Sequence, residues 1–183
     1  TTSCRKETRD ICEMNRSEVQ KCPFKDWQTI LTLEEALSKI KNWFPLLFLD
    51  FKTSENPKCK QDIPSLLEQL ATLIQAHHIE SKVIISSYNQ EFTKQLWTRN
   101  DLLSALDTHN SQDIKNLSWS NFSYFMTDHA NFTPTLLEQT QLAGVDAVAY
   151  TVNSISIAKK LKEIWVRFIM TDKLKEIRKA LEN

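Results

Sequence analysis

Short apolar runs alternate with amphipathic segments along most of the chain. Six apolar runs are typical of strands that are covered on both faces, at 46–52 (LLFLDFK), 83–87 (VIISS), 102–106, 124–127, 147–152 (AVAYTV) and 168–171 (FIMT). Segments with apolar residues at helical spacing separate most of these runs. Strands that alternate with helices in this way predict parallel βα units.

Capping signals mark where several of the helices begin. Thr32 and Glu35 have the spacing of a capping box, which predicts a helix from there to about Lys41. Thr133 and Pro134 supply an N-cap and a proline at the first helical position, and Gly144 ends that helix. Further helices are predicted at 63–74, 91–97, 154–163 and 173–181.

The number of βα units indicates part of a barrel. A whole (β/α)8 TIM barrel takes about 250 residues, and 183 residues plus two units of roughly 30 come close to that length. We therefore predict an α/β fold of the (β/α)8 type. Residues 1–183 would form a single barrel domain of about six βα units, the third to the eighth strands, without the first two.

The run at 46–52 carries two charges on one side. Asp50 and Lys52 are two residues apart and share a face with Leu46 and Phe48, whereas the opposite face is wholly apolar. The carboxyl ends of barrel strands are where active sites are built. A buried charge needs a partner, so we expect a metal, a phosphate or a structural ion pair between the two side chains.

Other polar residues at strand ends have ordinary structural explanations. Ser86 and Ser87 are interpreted as turn and cap residues, and His129 as a loop histidine. Trp97, Trp119 and Trp165 are predicted to fill the space between helices and sheet.

The composition excludes several classes of function. The 23 basic and 23 acidic side chains leave no net charge, which argues against a nucleic-acid partner. A single glycine excludes glycine-rich phosphate loops and dinucleotide-binding fingerprints. The longest apolar run, 43–51, is too short for a transmembrane segment.

Cysteines and glycosylation triplets bear on the compartment. The four cysteines, Cys4, Cys12, Cys22 and Cys59, allow three pairings, and the sequence does not choose among them. Asn-X-Ser/Thr triplets occur at Asn15, Asn116, Asn121 and Asn131. Together they favour a secreted or periplasmic location over a cytoplasmic one.

Five motifs in order resemble one enzyme family. The segments ILTLEEALSKI, LLFLDFK, VIISSYN, AVAYTVN and FIMTD, within residues 30–175, are similar to motifs of the glycerophosphodiester phosphodiesterases. That resemblance implies a (β/α)8 barrel that hydrolyses glycerophosphodiesters to glycerol 3-phosphate and an alcohol with a divalent metal, Ca²⁺ or Mg²⁺. It also implies a small-molecule glycerophosphodiester or a lysophospholipid-like compound as substrate.

The resemblance assigns roles to three residues. Asp50 matches a metal-ligand carboxylate, Lys52 matches the lysine that holds the phosphate, and Tyr150 stands where the family usually has a tryptophan lining the pocket. The family usually has Glu at the position of Asp50, and Asp there is similar to the sphingomyelinase D branch. Glycines that usually precede the last strand are Trp165 and Phe168 in this sequence.

The catalytic histidine pair of the family has no counterpart in these residues. In the family, both histidines belong to the first two βα units, and Thr1-Thr2 resembles the residues that follow the second one. The expected partner is therefore the missing N-terminal part of the same barrel, and this chain alone is expected to be inactive. Two alternatives stay open: a sphingomyelinase D-like phospholipase, and a catalytically inactive barrel segment that acts as a binding module.

Overall fold

The structure is a computed structural model, and it describes residues 11–22, 29–52, 59, 61–108 and 122–182. By their contacts, the residues form two compact units, Thr1–Leu47 with Lys52–Val83, and Phe48–Phe51 with Ile84–Asn183. A single domain over 1–183 stays a prediction.

The first unit contains three α-helices within its described residues. Its helices are α1 (Arg16–Gln20), α2 (Leu33–Ile40) and α3 (Ile63–Ala76). The predicted capping box is confirmed, because Thr32 Oγ1 accepts from Glu35 N at 3.2 Å and Glu35 accepts from Thr32 N at 2.7 Å. The hydrogen bond from Thr32 N lowers the pKa of the Glu35 carboxyl, and the Thr32 side chain and Arg16 add to the shift.

A disulfide joins distant parts of the first unit. Cys12 and Cys59 are bonded across 47 residues of sequence, with their Cα atoms 5.7 Å apart. Cys22 is disulfide-bonded as well, whereas Cys4 lies outside the described residues. The sequence left the pairing of the cysteines open, and the structure shows that Cys12 pairs with Cys59.

The second unit is built on a parallel sheet. The strands are β1 (Leu47–Asp50), β2 (Val83–Ser86), β3 (Leu103–Asp107), β4 (Tyr124–Asp128), β5 (Asp146–Tyr150) and β6 (Phe168–Ile169). They lie in sequential order, and the pairings from β2 to β6 are parallel. The helices of this unit are α4 (Gln90–Leu96), α5 (Pro134–Leu142), α6 (Ile155–Glu163) and α7 (Leu174–Glu182).

The predicted barrel-type α/β fold of about six βα units is confirmed. All six predicted strands are present, although β1 and β6 are shorter than their apolar runs. Both lie at the ends of the strand order, where hydrogen bonds come from one side only. Backbone pairing nevertheless continues past them, because Phe51 N donates to Ser86 O at 2.7 Å and Val152 N donates to Met170 O at 2.9 Å.

The sheet has two distinct faces. On one face, Ala147 and Ala149 pack against Leu161 of α6 and Ile177 of α7. On the other, the rings of Phe48, Tyr124 and Phe168 meet edge-on, with centroids 5.6–6.4 Å apart. We call this second side the aromatic face. Alternation along each strand and the printed register place on it Asp50, Ile84, Ser86, Leu103, Ala105, Asp107, Met126, Asp128, Asp146, Val148 and Tyr150.

Within the described ranges, no helix is long and apolar enough to cross a bilayer.

The residue just after the end of α6 has a backbone conformation that glycine usually adopts. Trp165 has φ 68°, and Val166 N donates to Leu161 O at 2.9 Å, the hydrogen bond of a Schellman motif. The prediction that Trp165 fills helix–sheet packing is wrong, since the residue is 81% exposed. Trp97 does pack, with its ring 4.7 Å from that of Phe122, and Trp119 lies outside the described residues.

We expect glycine at position 165 to stabilise the protein relative to alanine. Trp165→Ala removes the ring but keeps a Cβ in the left-handed region, whereas Trp165→Gly removes both. The difference should be about 1 kcal/mol in favour of glycine, measured by urea unfolding of the two variants. Equal stabilities would contradict the backbone-strain explanation.

Candidate active site

Polar side chains of five strands converge at one edge of the aromatic face. Each stands at the carboxyl end of its strand: Asp50 on β1, Ser86 on β2, Asp107 on β3, Asp128 on β4 and Tyr150 on β5. The register brings neighbours together directly, since Asp128 lies opposite Tyr150 and Asp107 lies opposite Met126. This edge corresponds to the place where parallel α/β proteins bind their ligands.

Asp50 and Ser86 are side by side at the β1–β2 end of this edge. The hydrogen bond from Phe51 N to Ser86 O aligns the two strands there. Asp50 is exposed, whereas Ser86 is fully buried and its Oγ has no hydrogen-bond partner among the described residues. A buried, unsatisfied hydroxyl is costly, so the interpretation of Ser86 as a turn residue does not account for it.

Ser87 behaves as a turn residue, as predicted. Its Oγ donates to Phe51 O at 2.7 Å and accepts from Asn89 N at 3.1 Å. Asn89 in turn caps α4 by accepting from Phe92 N at 2.8 Å. Ser87 therefore fixes the loop that carries the chain from β2 into α4.

Lys52 is exposed and follows the end of β1. Its contacts assign it to the first unit, whereas Asp50 belongs to the second. The predicted cooperation of Asp50 with Lys52 therefore stays a prediction.

Tyr150 is the centre of a hydrogen-bonded chain that joins three strands. Its hydroxyl donates to Asp107 Oδ1 at 2.7 Å and accepts from the Tyr88 hydroxyl at 2.8 Å. Burial raises the pKa of Tyr150 well above its usual range, and both hydrogen bonds add to the shift. Tyr150 is therefore a protonated phenol at any physiological pH.

Asp107 and Tyr88 are site residues that the sequence analysis did not single out. Asp107 is only 8% exposed, yet the predicted third strand ends one residue before it. Alternation places Asp107 on the same face of β3 as Leu103 and Ala105, and the observed register puts Ala105 opposite Tyr124. Tyr88 lies beyond the end of β2, where a strand pattern gives no direction to the side chain.

His129 lies beside this edge and contacts an acid. Its Nδ1 is 3.1 Å from Asp128 Oδ1, and the same carboxylate oxygen accepts from Ala130 N at 2.8 Å. Asp128 therefore caps the short 3₁₀ helix His129–Asn131, which agrees with the interpretation of His129 as a loop histidine. In the same helix, Asn131 donates to the buried Thr127 hydroxyl at 2.9 Å.

Side-chain hydrogen bonds join the chain just after β5 to the chain just after β6. Asn153 Oδ1 accepts from Thr171 Oγ1 and from Asp172 N, and its amide donates to Asp172 Oδ2 at 2.8 Å. These residues come from the motifs AVAYTVN and FIMTD. These hydrogen bonds give the terminal polar residues of both motifs a structural role.

The opposite edge of the aromatic face also carries an acid. Asp146 accepts two hydrogen bonds from Arg167, at 2.9 and 3.1 Å. The carboxylate is thereby paired structurally, and it raises the pKa of Tyr124, second to burial.

A divalent cation would need more ligands than these residues supply. Across the described ranges, no three His, Cys, Asp or Glu side chains are grouped so that they could hold a metal ion. The carboxylate of Asp50 suits Ca²⁺ or Mg²⁺, but each cation takes about six or more oxygen ligands. The described residues therefore do not form a complete metal site.

The sequence matches no protein-family model and no curated protein. Solved structures match its fold. A protein named as a glycerophosphoryl diester phosphodiesterase, from Silicibacter pomeroyi, aligns with TM-score 0.70 and 14% identity over 82% of this chain. The chain spans only 55% of that protein.

Two further structures cover more of the chain. An Oleispira antarctica phosphodiesterase in complex with the product sn-glycerol-3-phosphate aligns with TM-score 0.77 and 19% identity, over 94% of this chain and 72% of that one. A glycerophosphodiester phosphodiesterase from Agrobacterium tumefaciens aligns with TM-score 0.73 and 15% identity, over 93% and 72%. The chain therefore has the barrel-type fold of the glycerophosphodiester phosphodiesterases, which confirms the resemblance at the level of the fold.

Proposed function

We propose that a complete barrel containing this chain hydrolyses glycerophosphodiesters to glycerol 3-phosphate and an alcohol. The observation that carries the proposal is the convergence of Asp50, Ser86, Asp107, Asp128 and Tyr150 at the carboxyl edge of a parallel sheet. The fold is one that phosphodiesterases share. Polar groups gathered at this edge are the usual basis of catalysis in such folds.

We propose a role for each of the three residues that the resemblance singles out. Asp50 contributes one carboxylate to a divalent cation, Ca²⁺ or Mg²⁺. Lys52 neutralises negative charge that develops on the phosphate. Tyr150 forms a wall of the pocket. The cation, when bound, would supply electrostatic stabilisation of the phosphate, and its remaining ligands would come from outside the described residues.

We propose a small molecule as the substrate. The sn-glycerol-3-phosphate bound by the Oleispira protein supports a glycerophosphodiester, and a lysophospholipid-like compound contains the same phosphodiester. The exposed position of Asp50 is compatible with either, because the reacting group needs to reach only the edge of the sheet.

A second candidate is a binding module without catalytic activity. It is favoured by the lack of a three-ligand metal cluster in the described part of the chain. Asp50 in place of the usual Glu favours instead a sphingomyelinase D-like phospholipase. Assays with glycerophosphocholine and with sphingomyelin separate these two activities, and a ligand that binds without turnover identifies the module.

We also propose a secreted or periplasmic location, which the disulfide between Cys12 and Cys59 supports. Cysteines of the protein isolated from its own cells should resist alkylation until a reductant is added, as mass spectrometry would show. Complete alkylation without reductant would place the protein in a reducing compartment.

These 183 residues alone are expected not to turn over glycerophosphocholine. Proton transfer to the leaving alcohol needs a donor with a pKa near neutrality, normally histidine. No histidine of this chain matches the catalytic positions that the resemblance implies, and one carboxylate holds a cation weakly. Product release followed with Ca²⁺ or Mg²⁺ present tests this, and turnover that a chelator abolishes would contradict it.

In the complete protein, Asp50→Asn and Lys52→Met should have different effects. Asp50→Asn removes a charge that compensates the cation, so metal affinity should fall about tenfold or more, and activity should partly recover at high metal concentration. Lys52→Met should leave metal affinity unchanged or higher and lower the rate. Calorimetric metal titration beside steady-state kinetics measures both effects.

Glu138→Gln on α5 and Lys159→Met on α6 are matched controls, because both side chains are exposed on helices. Neither should change metal affinity or rate. If Asp50 and Lys52 form only a structural ion pair, each variant should instead lower the melting temperature and leave metal affinity at the wild-type value.

A further inference from the structure

The Asn-X-Ser/Thr triplets of the sequence have no part in the proposed hydrolysis. Such triplets are acceptors for asparagine-linked glycans in secreted proteins, so the proposed location would expose them to that chemistry. The structure describes two of the triplets, those that begin at Asn15 and Asn131, whereas Asn116 and Asn121 lie outside the described residues. The two described asparagines have opposite surroundings.

Asn15 has an amide nitrogen that the fold does not use. The residue is exposed, and its Oδ1 caps α1 by accepting from Glu18 N at 3.1 Å. Among the described residues, its Nδ2 has no hydrogen-bond partner. A glycan on Nδ2 would leave the cap intact, because the cap uses only the oxygen.

The hydroxyl of the same triplet contacts the side chain that would be modified. Ser17 Oγ donates to Asn15 Oδ1 at 2.8 Å. Since Oδ1 accepts from both Ser17 and Glu18, Nδ2 at the other end of the planar amide is directed away from these two donors. All the partners lie within residues 15–18, so this arrangement needs no tertiary contact.

Asn131 uses its amide nitrogen inside the protein. Its Nδ2 donates to the Thr127 hydroxyl at 2.9 Å, and Thr127 is only 2% exposed. The third residue of its triplet, Thr133, caps α5 by accepting from Leu136 N at 3.1 Å. A glycan is bulky and belongs at the surface, so a sugar on Nδ2 of Asn131 would disturb a buried hydrogen bond and destabilise the fold.

Resting on the secreted form of the proposed location, we propose that Asn15 carries an asparagine-linked glycan and that Asn131 does not. The donor is an oligosaccharide linked to a polyprenyl diphosphate. Asn15 Nδ2 forms a bond to the anomeric carbon of the sugar, and the bond from that carbon to the diphosphate oxygen breaks. The diphosphate leaves with the electron pair, and the amide nitrogen gives one proton to a base of the transferase. No group is oxidised or reduced.

Peptide mapping of the protein isolated from its own cells measures both sites. Enzymatic release of the glycans in heavy-oxygen water converts each occupied asparagine to a labelled aspartate, which mass spectrometry assigns to its residue. We expect the label at Asn15 and none at Asn131. An unlabelled Asn15 overturns the proposal, and a label at Asn131 overturns the selection between the two sites.

Three variants made in the same cells separate the glycan from the cap. Asn15→Asp keeps an oxygen that caps α1 but has no amide nitrogen, so it should lose one glycan and stay folded, as its melting temperature shows. Ser17→Ala should lose the same glycan, whereas the matched control Ser17→Thr keeps a hydroxyl and should retain it. Gel mobility before and after glycan release measures each change, and a wild-type mobility of Asn15→Asp would overturn the proposal.

The outcomes separate this inference from the proposed location. If the cysteines resist alkylation until a reductant is added but Asn15 carries no glycan, the inference is overturned and the location stands. If the cysteines are alkylated without reductant and Asn15 carries no glycan, both fail. The hydrolysis assays are independent of either result, because no residue of the triplet has a role in the proposed reaction.

Discussion

The register of the parallel strands is the constraint on which the candidate site depends. Parallel pairing puts Asp128 opposite Tyr150 and Asp107 opposite Met126, so all the carboxyl ends meet at one edge. A shift of one residue in any strand would turn its polar end to the helix-covered face, where Ala147 and Ala149 pack against apolar helix residues. The apolar contacts of the opposite face therefore hold the polar edge in place.

Asp107 is a buried carboxylate at the carboxyl edge of the sheet, and its hydrogen bonds offset the cost of its burial. A carboxylate away from water is unfavourable unless hydrogen bonds replace its solvent. The hydroxyl of Tyr150 supplies one such bond, at 2.7 Å, and Tyr150 is itself held by Tyr88. Removing one member takes a hydrogen bond from its neighbour, so the three residues are coupled in energy as well as in geometry.

Most of the fold was predictable because it depends on local patterns. The capping box at Thr32 and the six apolar runs need only neighbouring residues for their interpretation, and both are confirmed. The hydrogen-bonded chain was not predictable, because Tyr88 and Tyr150 are 62 residues apart and Asp107 and Tyr150 are 43 apart. No spacing rule relates residues of three strands until their register is known. Asp50, by contrast, could be proposed from the sequence because its charge interrupts an apolar strand.

The left-handed backbone conformation of Trp165 is another feature that the structure shows and the local sequence pattern does not. The resemblance to the glycerophosphodiester phosphodiesterases implies glycine before the last strand, and the structure gives a reason for it at position 165: the residue follows α6 at φ 68°. The Schellman hydrogen bond from Val166 to Leu161 requires that conformation whatever the side chain is. This turn connects α6 to β6. Phe168 of β6 packs in the ring cluster with Phe48 and Tyr124. The backbone strain of a residue with a Cβ at position 165 is thus the cost of keeping this turn without a glycine.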